Sequence, residues 1–511
     1  MIDQNTLKSK LKQLVDYAKD NLSLRAEDEA FVTNTLLDMF SLGAPAQECE
    51  PYSDFQSEII DPIVDYAVQN GMAKEEEKLL FETKLLGVVT PSPSSVVDKF
   101  DAIASNKGVQ SATDWLFNLS IANNYIRMAD IRKNIKWQHL GKFGNIEITI
   151  NLSKPEKDPK QIALAKLMPK TGYPACLLCP DNVGYAGNLN HPARQTLRII
   201  PIKLGGENWS IQYSPYQYYH EHIIALSNEH RPMAVNSETL YRLMDFVDLF
   251  PHYFIGSNAA LPIVGGSILT HDHYQGGSKV LPMFAVGTRK NYVSEKYKDV
   301  SVSIANWYNS VVRVSGKSKF QVHEVASDVL NCWATWTDES VNVICKTSEQ
   351  HNAVTPIARK EGETYIIDMI LRNNRTDEAH PYGIFHPEER LHNIKKEGIG
   401  IIEVMGLFIL PGRLKTELEV IKDYLTGNKN IDFKELSDSE NPMFKHAQTI
   451  IQLVNDHGSN RDRVYADRVV TNYVNDACEQ ILECTAVFKN DEKGQEAFIK
   501  FIEQGLGYKE I

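Results

Sequence analysis

Near the start of the chain the apolar positions fall three and four residues apart. Leu7, Leu11, Leu14, Val15 and Ala18 form one such run, and Phe31, Leu36, Leu37 and Phe40 form the next. This spacing lays each set along one side of a 3.6-residue period and predicts amphipathic helices. At Thr90 to Ser95 the stretch TPSPSS places prolines and small hydroxyl residues ahead of Val96, Val97, Phe100 and Ile103. That arrangement starts a helix. Residues 1–135 are therefore expected to form a helical N-terminal region.

The period then changes. NIEITINLS, following Gly144, alternates apolar and polar residues with period two, as a half-buried strand does. WSIQYSPYQYYHEHIIALS from Trp209 and MFAVGTRKNYVS from Met283 are also rich in strand formers. Between them SETLYRLMDFVDLFPHYF has helical spacing through Leu240, Leu243, Phe246, Val247 and Phe250. Further short strands are expected between Asp328 and Leu371, and the apolar run Ile399 to Leu410, broken by Glu403, reads as a buried strand with a turn. From Leu414 onward the pattern is helical again, with polar linkers such as LSDSENP. The alternation implies an α+β chain. Its expected regions are 1–135 (helical), 136–320 (strand-rich, with the chemistry described below), 321–415 (a second β-rich part) and 416–511 (helical).

Composition narrows the function classes. The 511 residues carry 66 acidic and 54 basic side chains, a formal charge of -12. A protein that grips the nucleic-acid backbone needs a basic footprint, so no nucleic-acid partner is expected. A small phosphorylated substrate held by a few local donors remains compatible. Seven cysteines are spread along the chain without a disulfide-like pattern, as in a reducing compartment. The N-terminus mixes charge and leucine, unlike a signal peptide, and no apolar window approaches the roughly 18 residues of a membrane span. A cytoplasmic location with no membrane partner is the expectation.

Two stretches carry chemistry. The first is GGSILTHDHYQGG, from Gly265 to Gly277. In an extended segment His271, His273 and Gln275 share a face. The histidines read as a metal pair, as a nucleophile with a supporting group, or as two strand residues with no special task. The paired glycines, Ser267, Thr270 and Gln275 favour a neutral cradle for phosphate oxygens beside an imidazole. The second stretch is YPACLLCPDN, in which Cys176 and Cys179 have the spacing of a zinc knuckle. Further ligands would come from histidines downstream, at His220, His222, His230 and His271. His220 and His222 also read as the face of a strand. His380, His386 and His392 could contact substrate, hold a second metal, or belong to a solvated turn. Arg372, Arg375 and Arg413 are candidate phosphate partners.

In order along the chain, C-x-x-C-P, L-S-N-E-H-R-P and H-D-H-Y-Q resemble the galactose-1-phosphate uridylyltransferases. HNAVTPIARK, LRNNRTDEAHPYGIFHPEERLH and IGIIEVMGLFILPGRLK resemble the type-2 branch of that family, so the resemblance spans nearly the whole chain. It implies a histidine-triad-like core of mixed or antiparallel sheet in two related halves, between helical N-terminal and C-terminal regions. The better-known branch has His-Pro-His-Gly-Gln where this chain has His271-Asp272-His273-Tyr274-Gln275. By resemblance His273 is the nucleophile. It would take a uridylyl group from UDP-glucose and pass it to galactose 1-phosphate. Gln275 would bind the phosphoryl oxygens, with Ser267 and Asn258 also binding substrate. Ser267 matches with its spacing to the histidine shifted by one residue, and Asn258 across a two-residue insertion. Cys176, Cys179, His230 and His271 would be metal ligands, with zinc the implied metal and no organic cofactor. A homodimer is among the arrangements left open. The competing readings are another nucleotidyl transfer or phosphorolysis in the same superfamily, a zinc-stabilised nucleotide-binding module, and a metal-dependent hydrolase.

Overall fold

A computed structural model describes residues 2–153, 172–266 and 268–511. Ser267 lies outside the described residues. The chain divides into two compact units: Met1–Ala129 with Pro155–Arg231, and Asp130–Lys154 with Pro232–Ile511.

The first unit opens with the helices that the apolar spacing predicts. Gln4–Asn21 buries Leu7, Leu11, Leu14, Val15 and Ala18, and Asp3 caps it by accepting from the Thr6 N–H at 2.7 Å. The cap satisfies one of the donors that a helix start leaves orphaned. The TPSPSS signal is realised as the helix Pro93–Lys107, capped by Ser92. Helix Val109–Ala122 follows, and the Tyr213 hydroxyl donates to the Thr113 carbonyl, tying this helix to the sheet. The sheet of this unit is an antiparallel meander of Ile200–Leu204, Glu207–Tyr213 and Ile223–Ser227. His220 and His222 do not form the strand face that their spacing suggests. They sit in the turn before Ile223–Ser227, where Glu221 between them has a φ of 53° that breaks the alternation.

The second unit holds a long antiparallel run of strands. Their spatial order is Lys509–Glu510, Thr288–Val293, Ser301–Ala305, Val311–Gly316, Thr364–Asn373, Asn352–Glu361, Phe254–Gly256 and His273–Gly277. A smaller sheet pairs Ile135–Gly141 with Gly144–Asn151 antiparallel and adds Leu407–Pro411 in parallel. Helices Ser237–Leu249 and Lys319–Thr335 pack on the long strands. The short strands expected between Asp328 and Leu371 are Asn352–Glu361 and Thr364–Asn373, and Asp328 to Thr335 is the second half of that latter helix. Val322, Val325, Ala326, Val329, Leu330 and Trp333 are buried along it at helical spacing. The run Ile399 to Leu410 is likewise split. Ile401–Val404 is a helical turn because Glu403 reaches back to the Gly400 N–H at 3.1 Å, and only Leu407–Pro411 is strand. Helices Leu414–Thr426, Ala447–His457 and Arg463–Thr485 complete the helical C-terminal part. The architecture is mixed α and β with large antiparallel sheets. Among the described residues no helix is long and apolar enough to cross a membrane.

Candidate active site and thiol cluster

In the second unit the H-D-H-Y-Q motif enters a strand at its second histidine, so His271 and Asp272 precede the strand rather than continuing it. His271 is fully buried and His273 is 6% exposed. Nδ1 of His273 lies 2.8 Å from the main-chain oxygen of His271. A carbonyl can only accept, so Nδ1 carries the proton and Nε2 the lone pair. Burial pushes the His273 pKa down to about 4, against the opposing pull of that carbonyl. The ring is therefore neutral around pH 7 and presents one defined nitrogen for attack.

The strand His273–Gly277 can lie where it does because glycine fills its far end. Gln275 pairs with Gly256, Gly276 with Ile255, and Gly277 with Phe254. A Cβ on Gly276 would run into the Phe254 carbonyl, so no larger residue fits this pairing. At Gly256 a Cβ would meet Ile401 Cδ1 at 2.6 Å, which lets the 398–404 turn lie close over the strand.

Asn258 is buried, and its Oδ1 accepts the Ile401 N–H at 2.9 Å. Its side chain therefore fastens that same turn. The Gly266 position lies against its amide nitrogen. The loop between Asn258 and His271 is strained at Ile263, whose φ of 72° is rare for a β-branched residue.

The register extends the His273 and Gln275 face across the unit. Gly256 pairs with both Gln275 and Ile357, Ile357 pairs with Asp368, and Asp368 pairs with Arg313. Asp368 is fully buried between two guanidinium groups. Arg313 Nε donates to it at 2.6 Å, and Arg359 Nη1 donates from the other side. Arg313 also donates to the carbonyls of Met283 at 3.0 Å and Val286 at 3.2 Å. The carboxylate thus secures the segment that follows the motif strand. Sequence reasoning missed Asp368. Its signal was a lone acid in the otherwise apolar run YIIDMIL.

In the first unit Cys176, Cys179 and His230 converge. The two sulfurs are 3.5 Å apart, and Cys179 Sγ is 3.2 Å from His230 Nδ1. These three ligand atoms lie within 4.8 Å of one another. Two thiols and an imidazole at this spacing match the soft donor set that zinc takes. Burial, with the neighbouring Cys176 sulfur, pushes the Cys179 thiol up to about 11. A second missed residue, Asn182, shapes the knuckle. It is fully buried and its amide donates to the carbonyls of Cys176 and Cys179, each at 2.8 Å. His191 Nε2 in turn donates to its oxygen at 2.6 Å. The only hint in the sequence was the short CPDN sequel to the second cysteine.

Comparison with known proteins shows the family. The model of the galactose-1-phosphate uridyl transferase N-terminal domain matches residues 33–232, and that of the C-terminal domain matches residues 217–437. The chain belongs to this family. It is similar to a galactose-1-phosphate uridylyltransferase of Caldanaerobacter subterraneus, with 47% identity over 94% of each chain. The Fusobacterium nucleatum enzyme of that name is 44% identical over 97% of this chain and 98% of its own. That of Bacillus subtilis is 41% identical over 98% of each. No solved structure matches the chain. Cys176 and Cys179 fall within the N-terminal match alone, His230 falls in the stretch that both matches cover, and the H-D-H-Y-Q strand falls within the C-terminal match alone.

Proposed function

We propose that the chain is a UDP-glucose–hexose-1-phosphate uridylyltransferase that works by double displacement through His273. The observation that carries this reading is the buried, neutral imidazole whose Nδ1 is engaged by the His271 carbonyl. It stands in a chain that matches galactose-1-phosphate uridylyltransferases over nearly its full length. In the first step Nε2 attacks the α-phosphorus of UDP-glucose. The bond to the bridging oxygen breaks, and glucose 1-phosphate leaves with that oxygen and its electron pair. UMP remains on Nε2 as a phosphoramidate. In the second step a phosphate oxygen of galactose 1-phosphate attacks the same phosphorus, releases the imidazole and gives UDP-galactose. Splitting one exchange into two like steps is what a covalent nucleophile contributes. Gln275 and Ser267 are assigned to the phosphoryl oxygens, where fixed donors stabilise charge in the transition state. Asn258 is assigned to the substrate-binding loop through its hold on the 398–404 turn.

Cys176, Cys179 and His230 are assigned to zinc, with His271 as the fourth ligand by its place in the family motif. Zinc bound by four protein side chains supplies a fixed cross-link and leaves no open position for substrate. A histidine-triad-like core of two related halves belongs to the same reading. None of the seven cysteines is in a disulfide, which suits a reducing compartment.

The test is mass spectrometry of the protein after exposure to UDP-glucose. One uridylyl adduct per chain is expected, and none in His273→Ala. An adduct that persists in His273→Ala, or catalysis without any adduct, would remove His273 from its role.

A further inference from the structure

Arg372 stands on the strand Thr364–Asn373 four residues past Asp368, and so on the sheet face that carries His273 and Gln275. It pairs with Ala353, and Trp333 Nε1 donates to the carbonyls of both, at 3.0 Å to Ala353 and 3.1 Å to Arg372. The helix Lys319–Thr335 thereby fixes the backbone at this point of the sheet. By residue type Arg372 is a phosphate partner, yet it is only 1% exposed. Its Nη2 donates to the Ile399 carbonyl at 2.8 Å. Its Nη1 is buried and meets no acceptor among the described residues.

A buried guanidinium that lacks a carboxylate is costly to the fold. Burial lowers the Arg372 pKa, against the pull of the Glu403 charge, but an arginine remains charged at neutral pH. Glu403 is already engaged, by Lys395 Nζ at 2.9 Å and by the Gly400 N–H at 3.1 Å. The three side chains therefore carry one positive charge in excess. His386, a further neighbour on which the Arg372 charge acts, is kept neutral chiefly by its own burial and offers no compensation. Departures from the pairing rule concentrate at functional positions, where stability yields to activity.

What Arg372 holds lies beside the reaction. Ile399 belongs to the 398–404 turn, whose Ile401 N–H donates to Asn258 and whose Ile401 side chain lies close over Gly256. Two backbone groups, two residues apart, are thus gripped from different directions. Arg372 ties the 399 carbonyl to the sheet, and Asn258 ties the 401 amide to the loop that leads to His271 and His273.

We propose that Arg372 is a positioning residue for uridylyl transfer: its hold on Ile399 fixes the 398–404 turn and, through Asn258, the loop that delivers His273. The proposal rests on the uridylyltransferase reading above, and the residue touches neither substrate nor the reacting atoms.

The test compares wild type with Arg372→Met, which keeps the apolar stem, and Arg372→Lys, which keeps a donor for the Ile399 carbonyl. The readouts are the single-turnover rate of uridylyl adduct formation at saturating UDP-glucose, the KM values and the melting temperature. In Arg372→Met the rate is expected to fall roughly tenfold to a hundredfold, as it does when reacting groups are slightly misplaced, with KM little changed. Its melting temperature is expected not to fall, because the excess buried charge leaves with the donor. Arg372→Lys should recover most of the rate. Arg372→Met combined with Asn258→Ala should be no slower than the slower single variant, since both release the same turn.

An unchanged rate in Arg372→Met, or additive losses in the double variant, would overturn the role. So would a raised KM at an unchanged rate, which would mean that the guanidinium meets substrate itself. An Arg372→Met chain that melts well below wild type, or does not fold, would make the residue structural and overturn the role as well. A wild-type chain that forms no adduct would overturn the parent reading and this one with it, whereas an adduct formed equally fast by all variants would remove Arg372 alone.

Discussion

Nδ1 of His273 and the main-chain oxygen of His271 are 2.8 Å apart, so the motif's first histidine sets the tautomer of its second through the backbone. This bond predicts which atom is modified. Phosphorus–nitrogen NMR of the ¹⁵N-histidine-labelled, uridylylated protein should place the phosphorus on Nε2. A coupling to Nδ1 would contradict the geometry.

Gln275 is two residues past His273 on the same strand, so the two side chains share a face. A carboxamide can orient an oxygen but cannot carry a proton at neutral pH. Gln275→His supplies a group that can, and it is expected to raise the hydrolysis of UDP-glucose relative to transfer. Release of UMP without added galactose 1-phosphate measures it. No increase would leave the choice of glutamine without this explanation.

Asn182 holds both cysteine carbonyls of the thiol cluster. Groups that orient metal ligands typically change affinity about 10- to 100-fold when lost. Asn182→Ala should therefore lose zinc to a competing chelator at correspondingly lower chelator concentration, and Cys179→Ser should retain less than wild type after dialysis. Metal content by elemental analysis gives the readout without recourse to activity.

Asp368 neutralises Arg313 and Arg359 where water does not reach. Asp368→Ala leaves the largely enclosed Arg313 and the buried Arg359 without this anion, and removal of one partner from such a set costs about 3–5 kcal/mol. Urea denaturation should report a loss of that order. Asp368→Asn, which keeps hydrogen-bond acceptance, should lose less.

Glu417 sets part of the acid stability. Burial works to raise its pKa, but hydrogen bonds from His446 and Lys445 and the Arg413 charge outweigh this and hold it at about 2. Its partners stand at 3.0 Å, 2.7 Å and 2.5 Å respectively. A carboxylate lowered in the folded state adds stability above its unfolded value, near 4.5, and loses it as the pH falls toward 2. The melting temperature should therefore drop across that window, and Glu417→Gln should flatten the drop. An unchanged slope in the variant would assign the acid lability elsewhere.

What the sequence made legible were features written in consecutive residues. The Ser92 cap, the helical face of Leu7 to Ala18, the Cys176–Cys179 knuckle and the H-D-H-Y-Q strand all depend on local spacing. What it hid depends on pairings between distant segments. Nothing near Gly256 says that it pairs with both Gln275 and Ile357. Nothing near Asp368 names Arg313 and Arg359 as its partners. Glu403 looked like an interruption in a strand, because its bond to the Gly400 N–H depends on a turn that periodicity does not record. Nor did periodicity separate the helix that ends at Thr335 from the strands that follow it, since its Val325, Val329 and Trp333 also suit strands by composition.

Ile263 meets, at two points, a stretch that lies far from it in the chain. Its side chain faces Gly383, and its carbonyl would stand 2.6 Å from a Cβ on Gly398. Anyone recombining this protein with its relatives inherits that joint. A chimera that imports residues 375–400 without the 257–266 loop, or lengthens either one, would separate parts that fit only as a matched set. Crossover points are better placed outside both.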